Sequence, residues 1–276
     1  MAIISNIKAN IKGYKLLLGV NIDHIAVLRE ARKINDPNPL DALGICKLSG
    51  ADQITIHLRE DRRHIHDNDA KAIIEQSALP VNLECSINSD IIDIVCKLKP
   101  SRATLVPENR NEVTTEGGLD VKGNFEKLQK VIDKLHANEI EVSLFIDPNE
   151  EIIELSKELE VEWIELHTGT FANIYAMLNT NLSNTHHSIK ELELSKQELK
   201  TKLNKSVKEI ENSSKLAKKL GLKIAAGHGL NYQNVTMISK IPEIEELNIG
   251  QSIIARSVFT GLNKAIIDMK ELVKND

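Results

Sequence analysis

Eight short apolar runs, each rich in β-branched residues and each followed by a helical or mixed stretch, constrain this chain more than any other feature. They read LLLGVNID, QITIHLRED, PVNLECS, RATLVPE, VSLFID, WIELHTG, KIAAGHG and ELNIGQSII. Strands alternating with helical patterns indicate βα units and a parallel sheet, and eight such units close a (β/α)8 barrel. The expected fold class is therefore α/β, a TIM barrel. In such a barrel all strand C-termini open on one face. Here the runs end in, or carry near their ends, residues capable of chemistry: Asp23 and His24, His57 and Arg59, Glu84, Pro107 and Glu108, Asp147, Glu165 and His167, His228, then Gly250 and Gln251. Polar groups gathered on one face from distant parts of a chain are how a barrel builds an active site. The chain reads as an enzyme.

At 276 residues the chain is slightly longer than a typical single barrel, so one domain spanning 1–276 is expected, with residues 1–15 as an N-terminal extension. Aromatics make up only 3% of residues against 41% hydrophobic, so the core must be mostly Ile, Leu, Val and Ala, the branched residues expected to fill a barrel interior. The net charge of −5, with both signs well mixed, argues against a nucleic-acid-binding surface. Cys46, Cys85 and Cys96 have no CxxC spacing and are expected as buried, reduced thiols. The N-terminal segment lacks the order of a signal peptide, and no run approaches a membrane span. A soluble, cytoplasmic protein is expected.

Helices are expected over 39–49, 67–77, 89–98, 124–138 and 149–159; Pro39 and Gly50 suit the start and end of the first. Between Thr170 and Gly221 the βα rhythm breaks. Leu199, Leu203, Val207 and Ile210 lie at helical spacing in a segment rich in Lys and Glu, so extra helices are expected between strands six and seven, with 178–208 as the inserted segment. Its free face suits subunit contact. Residues 179–187 read as a polar turn with His186 and His187 exposed. The loops REDRRHI and EVTTEGG should lie on the chemical face, the second hinged at Gly117 and Gly118.

His57 and Glu84 close adjacent strands, and His228 arrives across the mouth. Two imidazoles and a carboxyl around one cavity make a set for moving several protons. The glycines of AAGHG and NIGQS follow strands seven and eight, where barrels form a phosphate site from backbone N–H groups. Arg32, Arg59, Arg62, Arg63 and His64 offer cationic partners for a second phosphate. His57, Asp61, His64 and His66 fit no standard closed zinc site, so neither metal nor organic cofactor is expected.

Taken together, GVNIDHIAVLREAR, ITIHLREDRRHIHD, VNLE, LVPE followed by EVTTEGGLDV, VSLFID, IELHTG, AAGHGLNYQNV and ELNIG resemble the pyridoxine 5′-phosphate synthase family, ring-closing enzymes of the deoxyxylulose-5-phosphate-dependent vitamin B6 pathway. The resemblance runs from Leu16 to about Leu272. It implies a homo-octameric barrel, acting without a cofactor, that condenses 1-deoxy-D-xylulose 5-phosphate with 3-amino-2-oxopropyl phosphate and releases phosphate and water. It also implies His57 and Glu84 as proton acceptors, His228 as a proton donor and Glu165 as the stabiliser of a cationic intermediate or transition state. By the same resemblance, Asn21, Arg32 and Gly229 would hold the amino-ketone phosphate, and Asp23, His24, Arg59, His64 and Thr114 the deoxyxylulose phosphate. Gly250 and Gln251 fall at a phosphate site where the family usually has Gly-His, so Gln251 is a departure. Two other readings compete: an isomerase or epimerase of one phosphosugar, which would not need the Arg-rich loop, and a non-catalytic scaffold assembling through residues 189–220.

Overall fold

The computed structural model describes residues 16–108 and 117–274. In chain order the elements are β1 (Leu17–Asn21), α1 (Asp23–Arg32), α2 (Asp41–Leu48), β2 (Gln53–His57), α3 (Asp67–Gln76), β3 (Val81–Cys85), α4 (Ser89–Leu98), β4 (Arg102–Leu105), α5 (Phe125–His136), β5 (Glu141–Ile146), α6 (Glu150–Glu158) and β6 (Trp163–His167). Then follow α7 (Gly169–Asn179), α8 (Lys196–Lys219), β7 (Lys223–Gly227), α9 (Val235–Ile238), β8 (Glu246–Ile249), α10 (Gln251–Thr260) and α11 (Leu262–Val273). Each strand pairs in parallel with the next, and β8 returns to β1, giving a closed eight-stranded barrel.

The helices begin where side chains satisfy the first free amides. Asn88 accepts from the Asp90 amide at 3.0 Å to start α4, and Asn149 from Ile152 at 3.2 Å to start α6. Ser195 and Glu198 cap one another's backbone at the start of α8. That helix buries Leu199, Leu203 and Ile210 against the barrel. Between β6 and β7 stand α7, two short 3₁₀ turns (Leu182–Asn184 and Lys190–Leu192) and α8, so the extra helical matter lies where the sequence places it. His186 and His187 are exposed, their rings 3.8 Å apart.

Two expectations need correction. The helix expected over 39–49 is the second, because Asp23 opens α1 directly after β1. Its buried Ile25, Ala26 and Arg29 follow helical spacing, and the Arg29 guanidinium forks onto the Asp69 carboxylate with two 2.8 Å bonds, pinning α1 to α3. The second correction concerns the core. Leu18, Val20, Ile54, Ile56, Leu83, Leu105, Leu144, Ile164, Leu166, Ile224 and Leu247 are all fully or almost fully buried. They alternate along the strands with Gln53, Thr55, Asn82, Arg102, Thr104, Glu165, Glu246 and Asn248, which bond to one another across the barrel. Side chains alternate faces with a period of two, so the branched residues pack outward under the helices and the interior is polar.

From the barrel floor upward, the Arg102 guanidinium donates to both Glu246 oxygens at 3.0 and 2.8 Å and lies 4.1 Å over the Trp163 ring. Gln53 donates to Glu246 at 3.0 Å, Thr55 donates to the Asn248 carbonyl at 3.1 Å, and the Asn248 amide donates to Glu165 at 2.8 Å. Gln53 also lies 3.5 Å from the Asn248 carbonyl oxygen, which joins these bonds into one column from the floor to the mouth.

Candidate active site

At the C-terminal mouth lies a cavity of about 600 Å³. On the side of β2, β3 and the segment after β4, His57 stands between two carboxyl groups. Its Nδ1 is 3.9 Å from Glu84 Oε2 and its Nε2 is 3.3 Å from Glu108 Oε1. The backbone amide of His57 donates to Asp23 Oδ1 at 2.9 Å, while Asn21 and Asp23 bond to each other twice at 2.9 Å. Enclosure of Glu84 pushes its carboxyl well above the usual range, and the charges of Glu165 and Asp23 push the same way. Glu108 differs. Burial raises its carboxyl too, but the His57 bond, the Glu60 amide and the nearby cations outweigh burial and hold it below its ordinary value.

On the opposite wall, Glu165 and His167 share the inward face of β6. Burial raises the Glu165 carboxyl to about 7, against the opposing pull of the Asn248 amide. His167 Nδ1 meets Asp147 Oδ1 at 2.9 Å, and its ring lies 5.0 Å from those of both His228 and Phe145. His228 adopts φ +78°, a conformation costing a non-glycine residue about 1–3 kcal/mol. The Thr168 hydroxyl lies 2.7 and 2.6 Å from the carbonyls of Gly227 and His228, bracing that turn. Gly229 follows at φ +79°, and a Cβ there would stand 2.6 Å from the Ala172 methyl.

Between these walls α10 begins at Gln251, and Gly250 and Gln251 line the cavity, so the start of a helix, a place suited to an anion, borders the mouth. A Cβ on Gly250 would stand 2.8 Å from Asn21 Cβ, so the close approach of β8 to β1 needs glycine. Arg59, Arg63 and His64, from the loop after β2, complete the lining.

Of the residues singled out from sequence, Asn21, Asp23, His24, His57, Arg59, His64, Glu84, Glu165, His228, Gly229, Gly250 and Gln251 all line this cavity. Arg32 lies exposed in the last turn of α1, away from the lining, and Thr114 falls outside the described residues. Asp61 is bound to Arg63 at 2.6 Å, and His66 caps α3. Cys85 is buried on the outward face of β3, and burial pushes its thiol up, so it does not serve the cavity. Glu108, Phe145, Asp147, His167 and Asn248 were not chosen as site residues, yet all line the mouth or hold a group that does. Three of them carried a signal, since Glu108, Asp147 and His167 each end a run. For Asn248 the signal was the polar–apolar alternation of ELNI.

A closed parallel barrel whose mouth gathers imidazoles, raised carboxyls and a helix start suited to an anion defines an enzyme of the TIM-barrel class. Residues 18–275 match the family described as pyridoxal phosphate biosynthesis protein PdxJ. The chain belongs to that family. It is 92% identical over 261 residues to the pyridoxine 5′-phosphate synthase of Aliarcobacter butzleri (strain RM4018), covering 95% of this chain and 100% of that protein. It is 66% identical over 258 residues to the protein of the same name from Sulfurovum sp. (strain NBC37-1), covering 94% and 100%. Among solved structures, N-(5′-phosphoribosyl)anthranilate isomerase from Pyrococcus furiosus superposes with a TM-score of 0.56 at 15% identity, covering 95% of this chain and 100% of that one, a likeness of fold alone.

Proposed function

We propose that this enzyme makes pyridoxine 5′-phosphate by condensing 1-deoxy-D-xylulose 5-phosphate with 3-amino-2-oxopropyl phosphate, releasing phosphate and water through acid–base catalysis. The observation that carries the reading is the facing pair of walls. His57 with Glu84, and Glu165 with His228, border one cavity beside the α10 amides. Joining an amine to a ketone, expelling water and phosphate, and aromatising the ring requires proton transfers at several atoms, each of which a placed acid or base accelerates by roughly 10²–10⁴-fold. On this reading His57 and Glu84 accept protons, His228 donates one, and Glu165 in its ionised form steadies positive charge on an intermediate.

Two phosphorylated substrates need two anion sites. Asn21, Arg32 and Gly229 would hold the amino-ketone phosphate, Arg32 only by swinging toward the mouth from its exposed place in the last turn of α1. Asp23, His24, Arg59, His64 and Thr114 would hold the deoxyxylulose phosphate, and the Gly250 and Gln251 amides would take a phosphate group. No metal or organic cofactor enters this scheme. Leu48, Val258 and Phe259, exposed at 85%, 67% and 89%, support assembly into the homo-octamer that the resemblance implies, which light scattering would check. Among the described residues no helix is long and apolar enough to cross a membrane.

The test is purified protein with both substrates and a chelator. Phosphate release that needs both substrates, together with formation of pyridoxine 5′-phosphate, is expected. Turnover of either substrate alone would favour a phosphosugar isomerase instead. Restoration of a chelator-inhibited reaction by a divalent ion would contradict the metal-free scheme.

A further inference from the structure

Glu108 has no role in the scheme above, yet it is held in place against the His57 ring. Its side chain is 8% exposed. Both of its oxygens accept from the Glu60 amide, at 3.1 and 2.9 Å, and Oε1 also meets His57 Nε2 at 3.3 Å. Glu60 is anchored in turn, since the Ser86 hydroxyl at the end of β3 donates to its carboxylate at 2.6 Å. The chain Ser86–Glu60–Glu108–His57 therefore ties the segment after β4 to the ends of β2 and β3.

An ionised carboxylate can only accept hydrogen bonds, and a neutral imidazole carries one proton. With Glu108 anionic, that proton sits on Nε2. Nδ1 then keeps its lone pair and faces Glu84 Oε2 across 3.9 Å, too far for a hydrogen bond between them. The two carboxyls flanking one ring are also driven apart, Glu84 upward by enclosure and Glu108 downward by its donors. Divergent environments of this kind separate the working acid–base group from the group that supports it.

We infer that Glu108 is a positioning residue that holds His57 in its Nε2-protonated form and makes Nδ1 the nitrogen that takes up a substrate proton. As a substrate C–H or N–H bond breaks, the electron pair stays on the substrate and the proton joins Nδ1. The resulting imidazolium lies against the Glu108 carboxylate. Nδ1 then returns the proton to the departing hydroxyl oxygen, which leaves as water. The inference rests on the acid–base reading above.

Nitrogen NMR of the resting, ¹⁵N-histidine-labelled enzyme reads the tautomer without substrate and so does not depend on the proposed reaction. Where the ring is neutral, the His57 proton is expected on Nε2; a proton on Nδ1 would overturn the inference, even if the protein made pyridoxine 5′-phosphate at full rate. In kinetics, Glu108→Gln presents an amide that can donate to Nε2 and trap the other tautomer. Its kcat should fall about 10²–10⁴-fold with KM changed less than about threefold. Adding Glu108→Gln to His57→Ala should cost nothing more, because Glu108 acts through that ring. Additive losses would overturn the positioning role, as would near-normal turnover of a folded Glu108→Gln enzyme. If Glu108→Gln fails to fold, the wild-type spectrum still decides. A wild-type protein inert with both substrates would sink the proposed function, while the spectrum would still settle the state of His57.

Discussion

Leu83 and Glu84 are neighbours on β3, yet their side chains meet opposite demands. Leu83 points out to the helix layer and is fully buried, while Glu84 points into the mouth, where enclosure raises its carboxyl. The contrast runs around the whole ring. Outward residues such as Ile54, Ile164 and Leu247 each contribute roughly 1.5–3 kcal/mol by leaving water. Inward residues such as Gln53, Arg102 and Glu246 give up hydration and recover it only through bonds to one another. Asn82 Nδ2 and Ser143 Oγ, on the same inward face, bond to no other protein group among the described residues. Stability in this barrel resides between strands and helices, and the axis is given over to placing polar groups.

Substitutions on the two faces can break that division. The largest effect should come from Glu84→Gln and His57→Ala, each lowering turnover by about 10²–10⁴-fold with the melting temperature held or, for Glu84→Gln, raised. Near-normal steady-state turnover in either would remove that residue from the acid–base set. Next comes the barrel floor. Arg102→Met strands the Glu246 carboxylate and should destabilise by about 3–5 kcal/mol in denaturant unfolding, while a further Glu246→Leu should restore most of the loss. If the double variant is no better than the single, the floor pair is not the coupled unit its geometry suggests.

On the outer face, Leu83→Ala should lower stability by about 2–5 kcal/mol and leave kcat of the folded fraction unchanged. A catalytic defect as large as that of Glu84→Gln would mean the faces are not separable. A smaller effect is pH-dependent. Glu165 binds its proton more tightly folded than unfolded, since its carboxyl rises from 4.5 to about 7. The stability this provides is complete below 4.5 and is lost as pH climbs to about 7. Calorimetry should show wild type losing melting temperature relative to Glu165→Gln across that window; parallel curves would place Glu165 in a more polar setting. The smallest effect is expected of Gln251→His, which adds a titratable ring where backbone amides already serve. Substrate affinity should change less than tenfold, about 1.4 kcal/mol, and more at low pH. A large pH-independent change would give the Gln251 side chain a role of its own.

The closed ring was legible because eight apolar runs recur with helical stretches between them, and most of the mouth was legible because their ends are polar. What the sequence hid follows from geometry that only pairing supplies. Apolar strand residues were expected inside the barrel, but a run such as QITIH has polar residues at Gln53, Thr55 and His57, all one step out of phase with Ile54 and Ile56. Which set faces inward is settled by bonds from Gln53 to Glu246 and from Thr55 to Asn248, between strands nearly two hundred residues apart. Helix α1 went unassigned because Asp23 and His24 read equally well as a strand end. Glu108 was visible as the end of RATLVPE, but its bearing on His57 depends on the Glu60 amide, which no spacing encodes.

The alternation of β3 also works like a reading frame. Inserting or deleting one residue within Val81–Cys85 would exchange the two phases beyond that point, turning Glu84 toward the helices and an aliphatic side chain toward the substrate. Such a change would damage solvation and catalysis at once, whatever residue was added. Between strands no frame exists: the path from β6 to β7 takes in α7, two 3₁₀ turns and the whole of α8 without shifting the pairing of Glu165 with Ala225. This barrel therefore tolerates added length at that one punctuation mark and hardly any within its words.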